Sequence, residues 1–353
     1  MINYIGLDAH SSTCTAVVVS EQGEIRQRKT FSTSEAGILG FLNQVPGEKH
    51  LTFEECHLAQ WLYILLSDQV DKLVVCNPVY LAKKAGAKTD FRDALHLAQE
   101  LRTNHLKPVY HDTSKWIELR VLVNNYLGLV DTIIRSKNRL KAVFRSEVIR
   151  TNQTHFYKTK EKAKELKNHH SRFVAESLYE QIFALEKERE SYKEKFKQNI
   201  KRHRPIKNLT TIPGIDTVRA NVITAVVCMP HRFENKHKFW GYCMLVRHIQ
   251  KSGGRIYGNK RFHGRVELRD VFFGAAESAL RTDSKLRTYY EAIRAKGIKH
   301  KDAKVALARK IAAASLSMLK NNEIFNEEFE RATERRKEIR KEIYQELEDM
   351  KTS

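Results

Sequence analysis

The chain has 353 residues, with 63 Lys+Arg against 42 Asp+Glu, a formal net charge of +21 and a pI near 9.7. Its length suits two or three domains at roughly 150 residues each, and its 41% hydrophobic and 9% aromatic content is enough for real cores, which excludes wholesale disorder. The positive excess points to polyanionic partners, nucleic acid or an anionic membrane surface. No apolar run approaches the ~20 residues of a membrane span. Met1-Ile2-Asn3-Tyr4 lacks signal-peptide character, and five cysteines without a Cys-x-x-Cys pair give no disulfide framework. The expectation is a soluble, cytoplasmic, polyanion-binding protein.

The first hundred residues alternate as α/β. Tyr4 to Asp8 and Thr13 to Ser20 predict two antiparallel strands joined at His10 to Ser12, and Ile25 to Phe31 a third. Ser32-x-x-Glu35 fits a capping box opening a helix that buries Ile38, Leu39, Phe41 and Leu42. Two short strands follow, Leu51 to Glu54 and Lys72 to Asn77, with a helix through Trp61, Leu62, Leu65 and Leu66 between them. A three-strand meander followed by strands alternating with helices describes a mixed sheet of the RNase H type. A dinucleotide-binding fold is disfavoured because no Gly-x-Gly-x-x-Gly follows the first strand.

From Asp90 onward the pattern is helical, with Ser114 to Val148 as one long helix. Residues 155–203 are rich in Lys, Glu and Arg with sparse apolar positions, which suits an exposed helical hairpin or coiled coil. Pro205 marks a boundary. The expected domains are therefore 1–150 (α/β, ending in a long helix), 151–204 (hairpin or coiled coil), 205–320 (mostly helical) and 321–353 (charged helical tail).

Four carboxylates stand out. Asp8 ends the first strand and Glu54 a later one, while Asp90 and Asp93, spaced i,i+3, share one face at the start of a helix. Carboxylates at strand ends face the crevice where α/β folds bind ligands. Four that converge repel one another unless a cation neutralises them, and hard oxygen donors select Mg²⁺, with Mn²⁺ as a substitute. Two such ions can clamp the attacking and leaving oxygens of a phosphodiester. Each residue alone has a plainer explanation, Asp8 as a turn residue and Asp90 beside an N-cap at Thr89.

In the second half, Thr211-Ile212-Pro213-Gly214-Ile215 before a helix from Thr217 to Val227 resembles a helix-hairpin-helix element, in which backbone N–H groups around Gly214 meet a phosphate. In Gln250-Lys251-Ser252-Gly253-Gly254-Arg255 the glycines leave the Ser252 hydroxyl unobstructed, and Lys251 and Arg255 flank it. Lys260, Arg261 and interleaved aromatics (Phe239, Trp240, Tyr242, Tyr257, Phe262) suit a nucleic-acid channel, some of the rings being core. Lys201, Arg202 and Arg204 offer a further grip on RNA or DNA, against the plainer reading of a solvated helix face. Cys228, His231, His237, Cys243 and His248 fit no standard zinc spacing.

Gly6-Leu7-Asp8, Glu54 and Lys88-Thr89-Asp90-Phe91-Arg92-Asp93-Ala94 together resemble the Asp-Glu-Asp-Asp transposases of bacterial insertion sequences. The second half follows the same family in order, with Ile212 to Ile215, Ser252-Gly253, Gly264, Leu268-Arg269 and Ala275-Ala276, so the resemblance spans about residues 1–320. Many members carry Glu-Ala-Thr-Gly at the second acidic position. Here Glu54-Glu55-Cys56-His57 stands there, leaving Glu54 and Glu55 as rival ligands, with Glu54 favoured directly after Phe53. The resemblance implies an RNase H-like (Holliday-junction-resolvase-like) metal domain and a serine domain in a nucleoid-associated bacterial DNA recombinase. It further implies that Ser252 forms a covalent phosphoserine link to DNA, that a structured guide RNA pairs with element ends and target DNA, and that a dimer or tetramer builds a composite site. The alternatives are a metal-dependent hydrolytic junction resolvase or nuclease, a sugar-kinase or actin-like ATPase, which the missing later phosphate loops disfavour, and a non-enzymatic RNA-binding scaffold.

Overall fold

The computed structural model describes residues 1–81, 89–152, 155–261 and 264–326, with the backbone alone for 247–251, 256 and 259–261. Contacts divide the chain into two compact units, the first Met1–Ser114 and the second from Lys115 onward.

In the first unit β1 (Ile2–Ala9), β2 (Thr13–Val19), β3 (Ile25–Ser32), β4 (Glu48–Glu54) and β5 (Lys72–Cys76) form one mixed sheet in the order β3-β2-β1-β4-β5. β1 pairs antiparallel with β2 and parallel with β4, and β4 pairs parallel with β5. This mixed sheet with helices on both faces is an α/β arrangement consistent with the RNase H-like expectation. Helices α1 (Glu35–Leu42) and α2 (Ala59–Leu66) cover one face, and α3 (Asp90–Arg102) covers the other.

Strand alternation sets these faces. Ile5, Leu7, Leu51 and Phe53 point with Cys14, Ala16 and Val18 toward Ile38, Phe41, Leu42, Leu62 and Leu66. Val17 and Val19 point the other way, against Ala94 and Ala98 of α3. The helix at residue 35 is capped two residues later than the capping box predicts: the Ser34 Oγ, not that of Ser32, accepts from the Gly37 N–H at 3.1 Å. Ser32 is unavailable as the cap because it still pairs with Thr13 in the sheet.

Gly6 is the closest point between α3 and the sheet. A Cβ there would overlap the carbonyl oxygen of Ala94 and stand 2.6 Å from the Ala98 nitrogen. Together with the short Ala94 and Ala98 side chains, the missing Cβ lets the helix lie directly on β1.

In the second unit α4 (Trp116–Ser146) runs against α5 (His169–Arg202), with a small core of Leu140, Phe144, Phe156, Leu166, Leu178, Tyr179 and Ile182 at the far end of the pair. The helical hairpin is thus α4 with α5, whereas the composition suggests one within 155–203. A single 34-residue helix fills most of that stretch because its thin apolar stripe finds the matching stripe on α4. Charge on the outer face of α5 pairs locally, as in Lys193–Glu190 and Lys197–Glu194, while Glu186 reaches across to Lys137 of α4 at 2.6 Å.

Helix α6 (Arg204–Leu209) leads to α7 (Thr217–Val227), every residue of which from Ala220 to Val227 is buried. Around it pack α4, α5 and α9 (Val266–Ala279), with α8 (Lys236–Tyr242), α10 (Lys285–Ala295) and α11 (His300–Asn321) completing the core. Buried Asn221 ties α7 to α5, accepting from Asn199 Nδ2 at 3.0 Å and donating to the Phe196 carbonyl at 3.3 Å. Between α8 and α9 a hairpin of β6 (Arg247–Ser252) and β7 (Arg255–Arg261) interrupts the helices, a feature the mostly helical expectation lacks. Of the expected charged tail, residues 327–353 lie outside the described residues. Among the described residues no helix is long and apolar enough to cross a membrane.

The close approach at Gly6 makes a direct prediction. Gly6→Ala forces α3 off β1, and overpacking of this kind costs about 1–3 kcal/mol. Urea denaturation followed by circular dichroism should show that loss, and an unchanged midpoint would refute the account of the contact.

Candidate functional site

The acidic cluster forms where β1 ends beneath the first turn of α3. Leu7 is paired with Phe53 across β1 and β4, so Asp8 and Glu54 follow directly on that pair at neighbouring strand ends. Leu7 and Phe53 are buried on the α1/α2 face, so alternation turns Asp8 and Glu54 to the face that α3 covers. Helix α3 starts there because Thr89 caps it, its Oγ1 accepting from the Arg92 N–H at 3.3 Å. Asp90 and Asp93 thereby fall in the first turn, where carboxylates complement the helix dipole.

His10 completes the group. Its Nε2 lies 3.3 Å from an Asp8 oxygen and 3.6 Å from an Asp90 oxygen. One donor atom from each of Asp8, His10 and Asp90 lies within 4.8 Å of the others. In the sequence His10 falls in a connection, and the signal of its role is the Asp-x-His spacing at a strand end, which projects both side chains to one face.

Asp8 is the most enclosed of the three, its side chain 21% exposed against 54% for His10 and 58% for Asp90. Burial pushes its carboxyl above the ordinary carboxylate range; His10 opposes that shift, while the charges of Asp90 and Asp93 add to it. A carboxyl held back from ionising by burial and by two neighbouring carboxylates is relieved by a cation, so the donor set fits a divalent metal.

Glu54 and Glu55 are separated by their surroundings. Glu55 Oε2 lies 2.5 Å from Nε2 of His111, whose Nδ1 is 3.1 Å from Gln60 Oε1. The side chain of Glu55 is therefore engaged at the edge of β5 and α2. Glu54 is on the α3 face and stands opposite Cys76, whose thiol is pushed up to about 12 by burial and then by the Glu54 charge. Lys88 of the motif lies outside the described residues.

The serine segment is the tip of the β6–β7 hairpin. Ser252 pairs with Arg255 across a two-residue turn in which Gly253 and Gly254 have φ +54° and +77°. Two consecutive positive φ values make a tight primed turn that glycine adopts without strain. Ser252 and Arg255 are exposed, and so is Tyr257 at 71%. Lys251, Lys260 and Arg261 sit on these strands, but their side chains, like Phe262 as a whole, lie outside the described residues.

Other candidates divide. Phe239 is fully buried, and Trp240 donates its indole N–H to the Arg309 carbonyl at 2.8 Å, so both serve the core more than a nucleic-acid channel. Gly214, at φ +93°, packs against α9, where a Cβ would overlap the Ala275 carbonyl. The adjacent Asp216 side chain already caps α7, accepting from the Arg219 N–H at 2.8 Å. Lys201, Arg202 and Arg204 are exposed around the junction of α5 and α6. Cys228 and Cys243 are buried thiols outside any disulfide, and the Cys228 Sγ donates to the Ala225 carbonyl at 3.1 Å.

An acidic strand-end site under a helix start, on a strongly basic chain, defines a metal-dependent nucleic-acid enzyme of the Asp-Glu-Asp-Asp type as the class to compare. A transposase family model of that type matches residues 5–148, and one described as the IS116/IS110/IS902 transposase family matches residues 206–291. The chain belongs to the IS110 family of insertion-sequence transposases. It is 27% identical over 157 residues to an uncharacterized 42 kDa protein of insertion element IS900 from Mycobacterium paratuberculosis, covering 43% of this chain and 39% of that one. It is 26% identical over 153 residues to an uncharacterized 43.6 kDa protein of insertion element IS110 from Streptomyces coelicolor, covering 43% and 38%. The match thus spans about two-fifths of the length of these relatives. A Sinorhizobium fredii protein, y4qE, is 24% identical over 343 residues, covering 88% and 86%.

The raised Asp8 carboxyl carries a signed pH dependence. Between the ordinary carboxylate value and the higher folded value, the folded state holds a proton that the unfolded state has lost. Stability therefore falls as pH rises through that window, and the loss is complete above it. In EDTA, Asp8→Asn should match wild type in acid and exceed it in denaturation midpoint at neutral pH. A variant less stable than wild type at neutral pH would overturn the assignment.

Proposed function

We propose that this protein is a DNA transposase that cuts and rejoins DNA through a covalent phosphoserine intermediate at Ser252, assisted by a divalent cation, Mg²⁺ with Mn²⁺ as a substitute, at Asp8, Glu54, Asp90 and Asp93. The observation that carries this reading is the cluster of Asp8 with Asp90 and Asp93 on a chain that also presents an exposed serine at a glycine turn. The hydroxyl of Ser252 attacks the phosphorus, a serine–phosphate ester forms, and the displaced sugar oxygen leaves with a proton. One phosphodiester replaces another, so the bond energy is kept and the strand can be resealed without ATP. A cation held by the carboxylates supplies Lewis-acid polarisation of the phosphate and offsets its charge.

Arg255, across the turn from Ser252, reaches phosphate oxygens, and the exposed Tyr257 ring offers a stacking surface. The +21 charge is what draws DNA and a structured guide RNA, with pairing reading the sequence and the protein reading shape. Exposed Phe173, Val174 and Phe183 on α5 support a homo-oligomer.

A denaturing gel tests the chemistry. Element ends mixed with protein, flanking RNA and Mg²⁺ should give a protease-sensitive DNA–protein band that Ser252→Ala and EDTA both abolish. Cut DNA without that band would replace this reading with metal-dependent hydrolysis by the first unit alone. The rival glutamates separate in a thermal-shift titration: Mn²⁺ should raise the melting temperature of wild type and Glu55→Gln but not of Glu54→Gln. The reverse pattern would move the ligand to Glu55.

A further inference from the structure

We propose that His10 is a nitrogen donor to the divalent cation of the acidic site and biases that site toward Mn²⁺ over Mg²⁺. This inference rests on the metal reading of Asp8, Glu54, Asp90 and Asp93 given above, and adds to it a ligand from outside the four carboxylates. Nε2 of His10 stands 3.3 Å from Asp8 and 3.6 Å from Asp90. A six-coordinate ion with bonds of about 2.1 Å holds adjacent donors roughly 3.0 Å apart. The His10 nitrogen lies near that separation from each carboxylate, and all three donors lie within 4.8 Å of one another.

The imidazole is also held from its backbone. The His10 N–H donates to the Thr13 carbonyl at 3.0 Å, and the His10 carbonyl accepts from Thr33 Oγ1 at 2.7 Å. Residue 10 is thereby pinned between the β1–β2 turn and the end of β3, and it follows Asp8 by two positions along the extended chain. Asp8 and His10 thus form a short chelating pair on one strand end, closed from above by Asp90 of α3.

The chemistry decides which ion gains. Mg²⁺ strongly prefers oxygen donors and keeps its waters, whereas Mn²⁺ accepts imidazole nitrogen alongside carboxylate. Replacing one oxygen or water ligand by His10 strengthens Mn²⁺ binding more than Mg²⁺ binding. Among the described residues no other His, Cys, Asp or Glu groups gather three donors this closely.

The test is metal binding by the full chain, read without any DNA. Calorimetry with MnCl₂ and MgCl₂ on wild type, His10→Ala and Asp8→Asn, all checked for folding by circular dichroism, gives the selectivity. Pulsed electron paramagnetic resonance on bound Mn²⁺ gives the ligand identity. The expected result is Mn²⁺ binding by wild type with a histidine nitrogen coupling. In His10→Ala that coupling should be lost, with Mn²⁺ affinity about tenfold weaker and Mg²⁺ affinity nearly unchanged. Wild type that binds Mn²⁺ with no nitrogen coupling, or a His10→Ala protein with unchanged Mn²⁺-to-Mg²⁺ preference, would overturn the role of His10 and leave the carboxylate site standing. Wild type that binds neither ion, or an Asp8→Asn protein that binds as wild type does, would overturn the metal reading itself and this inference with it.

Discussion

The seat of α3 on β1 at Gly6 is the contact on which the acidic site depends. Asp8 belongs to the sheet and Asp90 and Asp93 to a helix some eighty residues later in the chain, and nothing local brings them together. The helix comes close because β1 has no Cβ where the Ala94 carbonyl sits. That short approach puts the first turn of α3 over the end of β1, close enough for the charges of Asp90 and Asp93 to act on Asp8. A larger side chain at residue 6, or at 94 or 98, would lift the helix and spread the carboxylates beyond the reach of one ion.

The same device recurs in the second unit with a different result. There Gly214 lets the turn before α7 press against Ala275 of α9, and the product is a dense core around α7 more than an open site. The exposed chemistry of that unit lies on the β6–β7 hairpin, whose two glycines adopt positive φ with empty space around them. One kind of residue therefore does two jobs: close packing at Gly6 and Gly214, and a tight, uncrowded turn at Gly253 and Gly254.

Electrostatics gives the first unit its character. A chain with a net charge of +21 keeps a small group of carboxylates together, with the most buried one shifted toward its protonated form. Such a group stores repulsion that a cation releases, and His10 stands beside two of its carboxylates. Long-range attraction for a polyanion and local demand for a cation are opposite in sign, and only spatial separation on a folded surface allows both.

Much of this was legible in the residues. The five strands of the sheet, the start of α3 at Asp90 and the whole of α7 follow from alternation, helical spacing and caps, all of which act within a few residues. The shared helical face of Asp90 and Asp93 was legible through their i,i+3 spacing, and so was the chemistry of the carboxylates, whereas Asp8 joined them in the sequence only through resemblance to a family motif. The pairing of α5 with α4, the engagement of Glu55 by His111 and the placement of His10 beside two carboxylates were not. Each of these joins segments whose separation in the chain says nothing of their distance in space, or turns on which face of a strand end a side chain takes. By itself the sequence determined which groups exist and which local elements carry them, because propensity and periodicity are short-range. Tertiary structure alone decided which of those groups share a site, because that depends on how closely a helix can approach a strand, and here on one absent Cβ.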